Sequence, residues 1–254
     1  MAQLPERVDV VGTGISVAGL DETVDLILRP GDDGLMVAVC NVHAVMSARR
    51  DPSLNAALST ADVATADGMP LVWALRSFGT PDQERVDALR LFTATVEAGL
   101  AEATSHFFYG STDAVLDRII SDLEQQYPDL VVSGTLAPPF RALTPREMRY
   151  HIEVIRHSGA DVVWVGLGMP KQEYWMAEAR RNLGGVALVG VGAVFDWLAG
   201  SMPKAPQWMQ GAGLEWLYRL SREPSRLWRR YAWNNPAFLV LFAAQLTRVR
   251  LSRN

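Results

Sequence analysis

The residue types able to do chemistry in this sequence are one well-placed aspartate, a few amides and many arginines. Asp67 stands in "ATADGMPLVW", directly ahead of a glycine and a predicted helix. A carboxylate at that point can cap the helix N-terminus or serve as a general base at a crevice, and both readings stay open. Gln172 follows the apolar run of "VWVGLGMPKQEYW", where Pro170 near a helix start puts it in the opening turn. From there its side chain can reach over a strand end. Asn41 and His43 in "CNVHAV" follow another apolar run, and His43 reads either as a substrate contact or as a structural residue. Asp196 in "FDWLAG" can bind a polar group of a ligand or cap a short helix. Gly166 and Gly168 can let a ligand approach the backbone or serve tight turns.

Other chemistries find little support. The four histidines, at 43, 106, 151 and 157, have no metal-ligand spacing, and Cys40 is the single thiol. Neither a metal site nor an intrachain disulfide is therefore predicted. "GTGISVAG" matches a dinucleotide fingerprint at Gly12 and Gly14, but Val17 holds the third glycine position and no acid closes the next strand. No cofactor is expected.

The elements that must position these residues are apolar runs alternating with helical patterns. "RVDVVGTGIS" reads as a strand ending in a glycine turn; "GLMVAVCNV", "DVATADG", "HFFYGS", "DLVVSGTL", "ADVVWVGLG" and "GVALVGVGAVF" read as further strands. Helices are predicted over "LDETVDLILRP", "HAVMSARRDPSLNAALSTA" with a break near Pro52, "MPLVWALRSFG" and "TDAVLDRIISDLEQQY". Continuous rather than alternating apolar strands imply burial on both faces, hence a mostly parallel, open, Rossmann-like α/β sheet covered by helices. Ligands of such sheets bind beyond the carboxyl ends of the strands. Asn41, Asp67, Gly110, Gly134, Gly168 and Gly192 are all expected just there.

A chain of 254 residues, 49% hydrophobic and 20% charged, suits an α/β domain over 1–200 with a helical appendage over 201–254. No signal-peptide pattern opens it, and the late apolar stretch "AFLVLFAA" is far shorter than the roughly 20 residues of a spanning helix. The net charge of −4 hides an asymmetry, because from Arg219 onward eight arginines face a single acid, Glu223. Trp216, Tyr218, Trp228, Tyr231, Trp233 and Phe238 interleave with them, a pattern suited to an anionic lipid surface. Pro224 is expected to split this tail into two helices. The acidic body argues against a nucleic-acid partner.

Four blocks carry a resemblance over nearly the whole chain. They are "CNVHAVMSARRDPSLNAALSTADVATADGMPLVWALRSFGTPDQERV" (40–86), "GTLAPPF" (134–140), "VWVGLGMPKQEYWM" (163–176) and "VGVGAVFDWLAGSMPKAPQWMQGAGLEWLYRLSREPSRLWRRY" (189–231). In this order and spacing the chain resembles the bacterial WecG/TagA/CpsF glycosyltransferases. The resemblance implies transfer of a hexose derivative from a UDP-sugar to a polyprenyl-diphosphate-linked saccharide during surface polysaccharide or teichoic acid assembly. It implies a catalytic base at Asp67, polar crevice residues at Asn41 and Gln172, and a functional arginine at Arg85. It also implies basic residues at Arg219, Arg226 and Arg229 in an appendage that closes over the site and docks at the membrane.

Three departures stand out. Val39 replaces a threonine; Asp87-Ala88-Leu89-Arg90-Leu91 replaces a Thr-Gly-x-Asp-Leu loop; and a basic pair is reduced to Pro203-Lys204. The expected activity is inverting and metal-independent, at the inner face of the plasma membrane, with homo-oligomers open. The rivals are a glycoside hydrolase using Asp67 and Asp196, and a sugar-nucleotide or membrane-binding module without turnover.

Overall fold

The runs without alternation form one central sheet. In the computed structural model, which describes residues 3–200 and 205–252, the chain opens with β1 (Arg7–Val10), β2 (Thr13–Ser16) and α1 (Leu20–Leu28). β3 (Leu35–Cys40), α2 (Val42–Ala48), α3 (Pro52–Ser59), β4 (Val63–Ala66), α4 (Met69–Phe78) and α5 (Ala88–Gly99) follow. Next come β5 (Ser105–Gly110), α6 (Asp113–Gln126), β6 (Val131–Leu136), α7 (Pro145–Ser158), β7 (Val162–Gly166), α8 (Lys171–Ala179), β8 (Ala187–Gly190) and α9 (Val194–Leu198). Three helices close the chain: α10 (Gln207–Gly211), α11 (Glu215–Arg222) and α12 (Pro224–Ser252). Pro203-Lys204 lie outside the described residues.

Six strands pair in parallel in the order β4-β3-β8-β7-β5-β6. Each central strand feeds two cores, because successive side chains leave opposite faces. Met36, Ala38 and Cys40 of β3 enter one core with Val163 and Val165 of β7. Leu35 and Val37 enter the other with Val162, Trp164 and Val189. Helices α2, α3, α4 and α8 cover the first face, and α1, α5, α6 and α9 the second. The expected parallel α/β sheet is thus present.

Local departures have physical causes. "RVDVVGTGIS" is a β1–β2 hairpin outside the main sheet, since Val11 (φ 55°) and Gly12 (φ 91°) both take left-handed conformations and fold the strand back. Gly134 lies within β6, where a Cβ would stand 2.7 Å from the Phe107 ring. The segment after Val86 is the start of α5, capped by the Asp87 carboxylate, which accepts from the Arg90 amide at 3.1 Å. Helix α7, which apolar periodicity does not reveal, buries only His151, Ile152 and Ile155.

Pro224 does split the tail, and α12 then lies against the body. Phe238, 2% exposed, stacks on Phe242, which meets Phe78 of α4 edge-on at 5.7 Å. Further along, Gln245 accepts from the Val11 amide and donates to the Asp9 carbonyl, both at 2.8 Å, so the helix is anchored on the hairpin turn. Among the described residues no helix is long and apolar enough to cross a membrane.

The ends of β7 and β8 tolerate no extra atom. A Cβ on Gly166 would stand 2.4 Å from the Phe195 ring. Gly166→Ala is therefore expected to lower unfolding stability by about 1–3 kcal/mol through overpacking. Phe195→Leu in the same chain should recover part of that loss, as read by denaturant melts.

Candidate active site

Asp67 follows β4 directly, and its amide donates to the Cys40 carbonyl at 2.7 Å, which ties the ends of β3 and β4 together. The capping reading is not realised. Gly68 occupies the N-cap position of α4 and makes no side-chain bond, while the Asp67 carboxylate turns to Arg85. Arg85 Nη2 and Nε reach Asp67 Oδ1 at 3.1 and 3.3 Å, and the same Nη2 donates to Glu215 Oε2 of α11 at 2.7 Å.

The loop carrying Arg85 is held from several sides. Buried Gln83 donates to the carbonyls of Ala18 and Glu84, Glu84 accepts from the Leu20 amide, and the Val86 amide donates to Ala66. An arginine so fixed is a preorganised cation. Burial raises the Asp67 pKa to about 6, with Asp87 and Glu215 adding to the rise and Arg85 opposing it. Burial works against the charge of Arg85, and Asp67 and Glu215 more than offset it, so its pKa is raised.

A cavity of about 330 Å³ opens over this pair, between the ends of β3 and β4 and the underside of α11 and α12. Its floor includes Asn41, His43, Asp67 and Arg85, and its roof Glu215, Arg219, Arg230 and Tyr231. The walls are mostly apolar: Met69, Pro70, Trp73, Leu214, Trp216, Phe238 and Leu239. Asn41 caps α2, its Oδ1 accepting from the amides of His43 and Ala44 at 3.0 and 3.2 Å, so its NH₂ is the group left for a ligand. His43 Nδ1 accepts from Asn234 Nδ2 at 2.9 Å, which assigns the ring proton to Nε2. Burial, with Arg230 and Arg50 adding, lowers its pKa to about 3, so it is a neutral donor. Asn234 Oδ1 in turn accepts from Arg50 at 2.7 Å, locking α12 to α2.

Other sequence candidates lie elsewhere. Gln172 is 3% exposed on α8 and Gly168 (φ 73°) sits in the loop before it; neither lines the cavity. Nor does Asp196, in the first turn of α9, whose N-cap position is held by Ala193 without a side-chain bond. Arg219 lines the cavity and also stacks on Trp197 of α9, 5.6 Å from the ring centroid, so it stands between the two regions. Arg229 is exposed and lies over the Trp228 ring; its neighbour Arg230 is the one facing the cavity. The side chain of Arg226 lies outside the described residues. Val39 packs against the second core, so no polar contact arises there.

Sequence reasoning passed over Glu215, Arg230 and Asn234. Asn234 carried a signal, an amide inside an aromatic-rich helix, whereas Glu215 and Arg230 looked like ordinary charges. Among the described residues no group of three or more His, Cys, Asp and Glu could hold a metal ion. Positive charge at the cavity comes from arginine.

The geometry fixes a titration. A carboxyl ¹³C titration of Asp67 is expected to give a midpoint near 6, and Arg85→Met should move it upward by removing the attraction that favours the ionised form. A midpoint at or below the ordinary 3.8 would contradict the buried setting.

Comparison with known proteins identifies the family. The family model described as "Glycosyl transferase WecG/TagA/CpsF family" matches residues 8–252. A relative from Bacillus spizizenii is 29% identical over 197 residues, covering 78% of this chain and 74% of its own length. That relative is named N-acetylglucosaminyldiphosphoundecaprenol N-acetyl-beta-D-mannosaminyltransferase. With the match running from the hairpin to the end of α12, the chain belongs to the WecG/TagA/CpsF family of glycosyl transferases.

Proposed function

We propose that the protein transfers a hexose derivative, as in the Bacillus relative an N-acetylmannosamine, from a UDP-sugar to a saccharide on a polyprenyl diphosphate. The observation that carries this reading is the Asp67 carboxylate, held by Arg85 at the floor of a largely apolar cavity. Its raised pKa suits a group that must take a proton near neutrality. In the proposed step Asp67 takes the proton of the acceptor hydroxyl as its oxygen attacks the anomeric carbon. The bond to UDP breaks, and the electron pair stays on the diphosphate. Attack opposite the leaving group inverts the anomeric centre.

The chemistry of the walls supports a division of the cleft between the two substrates. Apolar side chains running from Asp67 out to exposed Trp73 and Leu239 suit the lipid-proximal part of the acceptor. The donor then occupies the neighbouring ends of β7 and β8, near Gly168, Gln172 and Asp196. Arg219, between the two regions, is placed to receive the charge of the departing diphosphate, as fixed guanidiniums do well. Arg229 is proposed to meet the anionic lipid interface, and Arg226 to contribute to anion binding. A hydrolase would use a second carboxylate facing Asp67; Asp196 does not line the cavity, and Glu215 shares the Arg85 guanidinium.

Membrane docking rests on the outer surface of the appendage. Trp208, Trp228, Trp233, Leu239, Val240 and Leu251 are each more than half exposed, amid exposed Arg222, Arg229, Arg248 and Arg250. That composition suits an anionic interface, and the body over 1–200 with the appendage over 201–254 is read as a catalytic unit and its lipid-facing cover.

With UDP-N-acetylmannosamine and a lipid-diphosphate-linked N-acetylglucosamine, product should form whether or not a chelator is present. Asp67→Asn should cut kcat by about 10²- to 10⁴-fold while UDP affinity holds, measured by radiolabel transfer and calorimetry. Unchanged turnover in that variant would remove Asp67 as the base. Trp233→Ser combined with Val240→Ser should weaken sedimentation with anionic vesicles at least tenfold and spare transfer to a short-chain, water-soluble acceptor. Vesicle binding equal to wild type would reject the docking face.

A further inference from the structure

Gln172 and Glu173 open α8 with polar side chains that are 3% and 2% exposed. Uncompensated polar groups are costly inside a protein, so a buried Gln–Glu pair needs a reason. Gln172 Nε2 donates to Glu173 Oε1 at 3.0 Å. The amide oxygen of Gln172, Oε1, and the second carboxylate oxygen of Glu173, Oε2, are buried and have no hydrogen-bond partner among the described residues.

The amide lies across the carboxyl end of β8. A Cβ on Gly190 would stand 3.0 Å from Gln172 Nε2, and one on Gly192 would stand 3.6 Å from Gln172 Oε1. Glycine at 190 leaves the amide room to sit over the strand end, with its oxygen in ordinary contact distance of Gly192. Glu173 closes the pair toward β3. Burial first, and then the Glu173 charge, push the Cys40 thiol up to about 12, and the Cys40 carbonyl is the group that holds the Asp67 amide.

We propose that Glu173 is a positioning residue for donor binding: its carboxylate holds the Gln172 NH₂ and so presents Gln172 Oε1 to an N–H or O–H group of the sugar nucleotide. This inference rests on the donor occupying the ends of β7 and β8, as proposed above. Where Glu173 is ionised, at pH above its raised pKa, it only accepts, so it engages only the NH₂ edge of the amide and excludes the flipped orientation. Burial lifts the Glu173 pKa to about 7, and the Gln172 hydrogen bond is among the groups that hold it down. The unmet Gln172 oxygen is then an acceptor kept for a ligand rather than a packing defect.

The test is a kinetic set on the full-length protein with UDP-N-acetylmannosamine as the varied donor. Glu173→Leu should raise donor KM roughly five- to tenfold, the loss of about one hydrogen bond, with kcat within about twofold of wild type. Glu173→Gln, which keeps an acceptor for the Gln172 NH₂, should recover most of that loss. Gln172→Ala should raise donor KM as well, and adding Glu173→Leu to it should have little further effect, because the two act as one unit. Should Glu173→Leu fail to fold in a thermal melt, Glu173→Asp withdraws the carboxyl by one methylene and gives the same readout. Additive effects, a Glu173→Gln defect equal to that of Glu173→Leu, or a lowered Tm with unchanged KM would overturn the proposal. An unchanged donor KM in Gln172→Ala would instead sink the donor placement itself, and this inference with it.

Discussion

Arg85 donates at once to Asp67 of the α/β body and to Glu215 of the appendage, and the site is organised around that shared cation. Without it, two carboxylates would face each other in a partly buried cavity, and repulsion would drive one to protonate. With it, Asp67 stays close to the balance point between acid and base, while α11 is drawn over the strand ends. The interaction that tunes the carboxylate is therefore the one that closes the roof. Its strength comes from preorganisation, because the Arg85 loop is fixed by Gln83, Glu84 and Val86.

The appendage is bound to the body through its interior as much as through charge. Phe238 and Phe242 extend one core of the sheet, Asn234 joins the Arg50 and His43 side chains, and Gln245 anchors on the hairpin turn. The same helix turns Trp233, Leu239 and Val240 outward. One amphipathic segment thus completes the cavity wall on one face and offers an apolar, arginine-flanked surface on the other. In the proposed reading this arrangement lets a lipid-linked acceptor pass from the interface to Asp67 along continuous apolar surface.

Much of the frame was legible because burial on both faces leaves an unbroken apolar record, as in "VVWVG" and "ALVG". Helix α7 was not legible, since a helix with three buried residues in fourteen carries mostly surface chemistry. The turn at Val11 was hidden for a different reason: a β-branched residue is rarely found at positive φ, and tertiary contact with Gln245 holds it there. At the site, the position of Asp67 followed from its place after a strand. Its partner Arg85 came through family resemblance, and Glu215 and Arg230 depend on how the appendage docks, which local sequence does not encode. Gln172 follows β7 as expected, but its amide lies over the end of β8, the strand next to β3, outside the Asp67 cavity and with its NH₂ committed to Glu173.

A structure of the protein with UDP and a short-chain lipid-diphosphate-linked N-acetylglucosamine bound together would locate both reacting groups. The attacking acceptor hydroxyl is expected within about 2.6–3.2 Å of an Asp67 carboxylate oxygen, or joined to it through one water, with the diphosphate against Arg219. An acceptor hydroxyl bound beyond reach of Asp67, or a diphosphate lying away from the appendage arginines, would contradict the proposed mechanism.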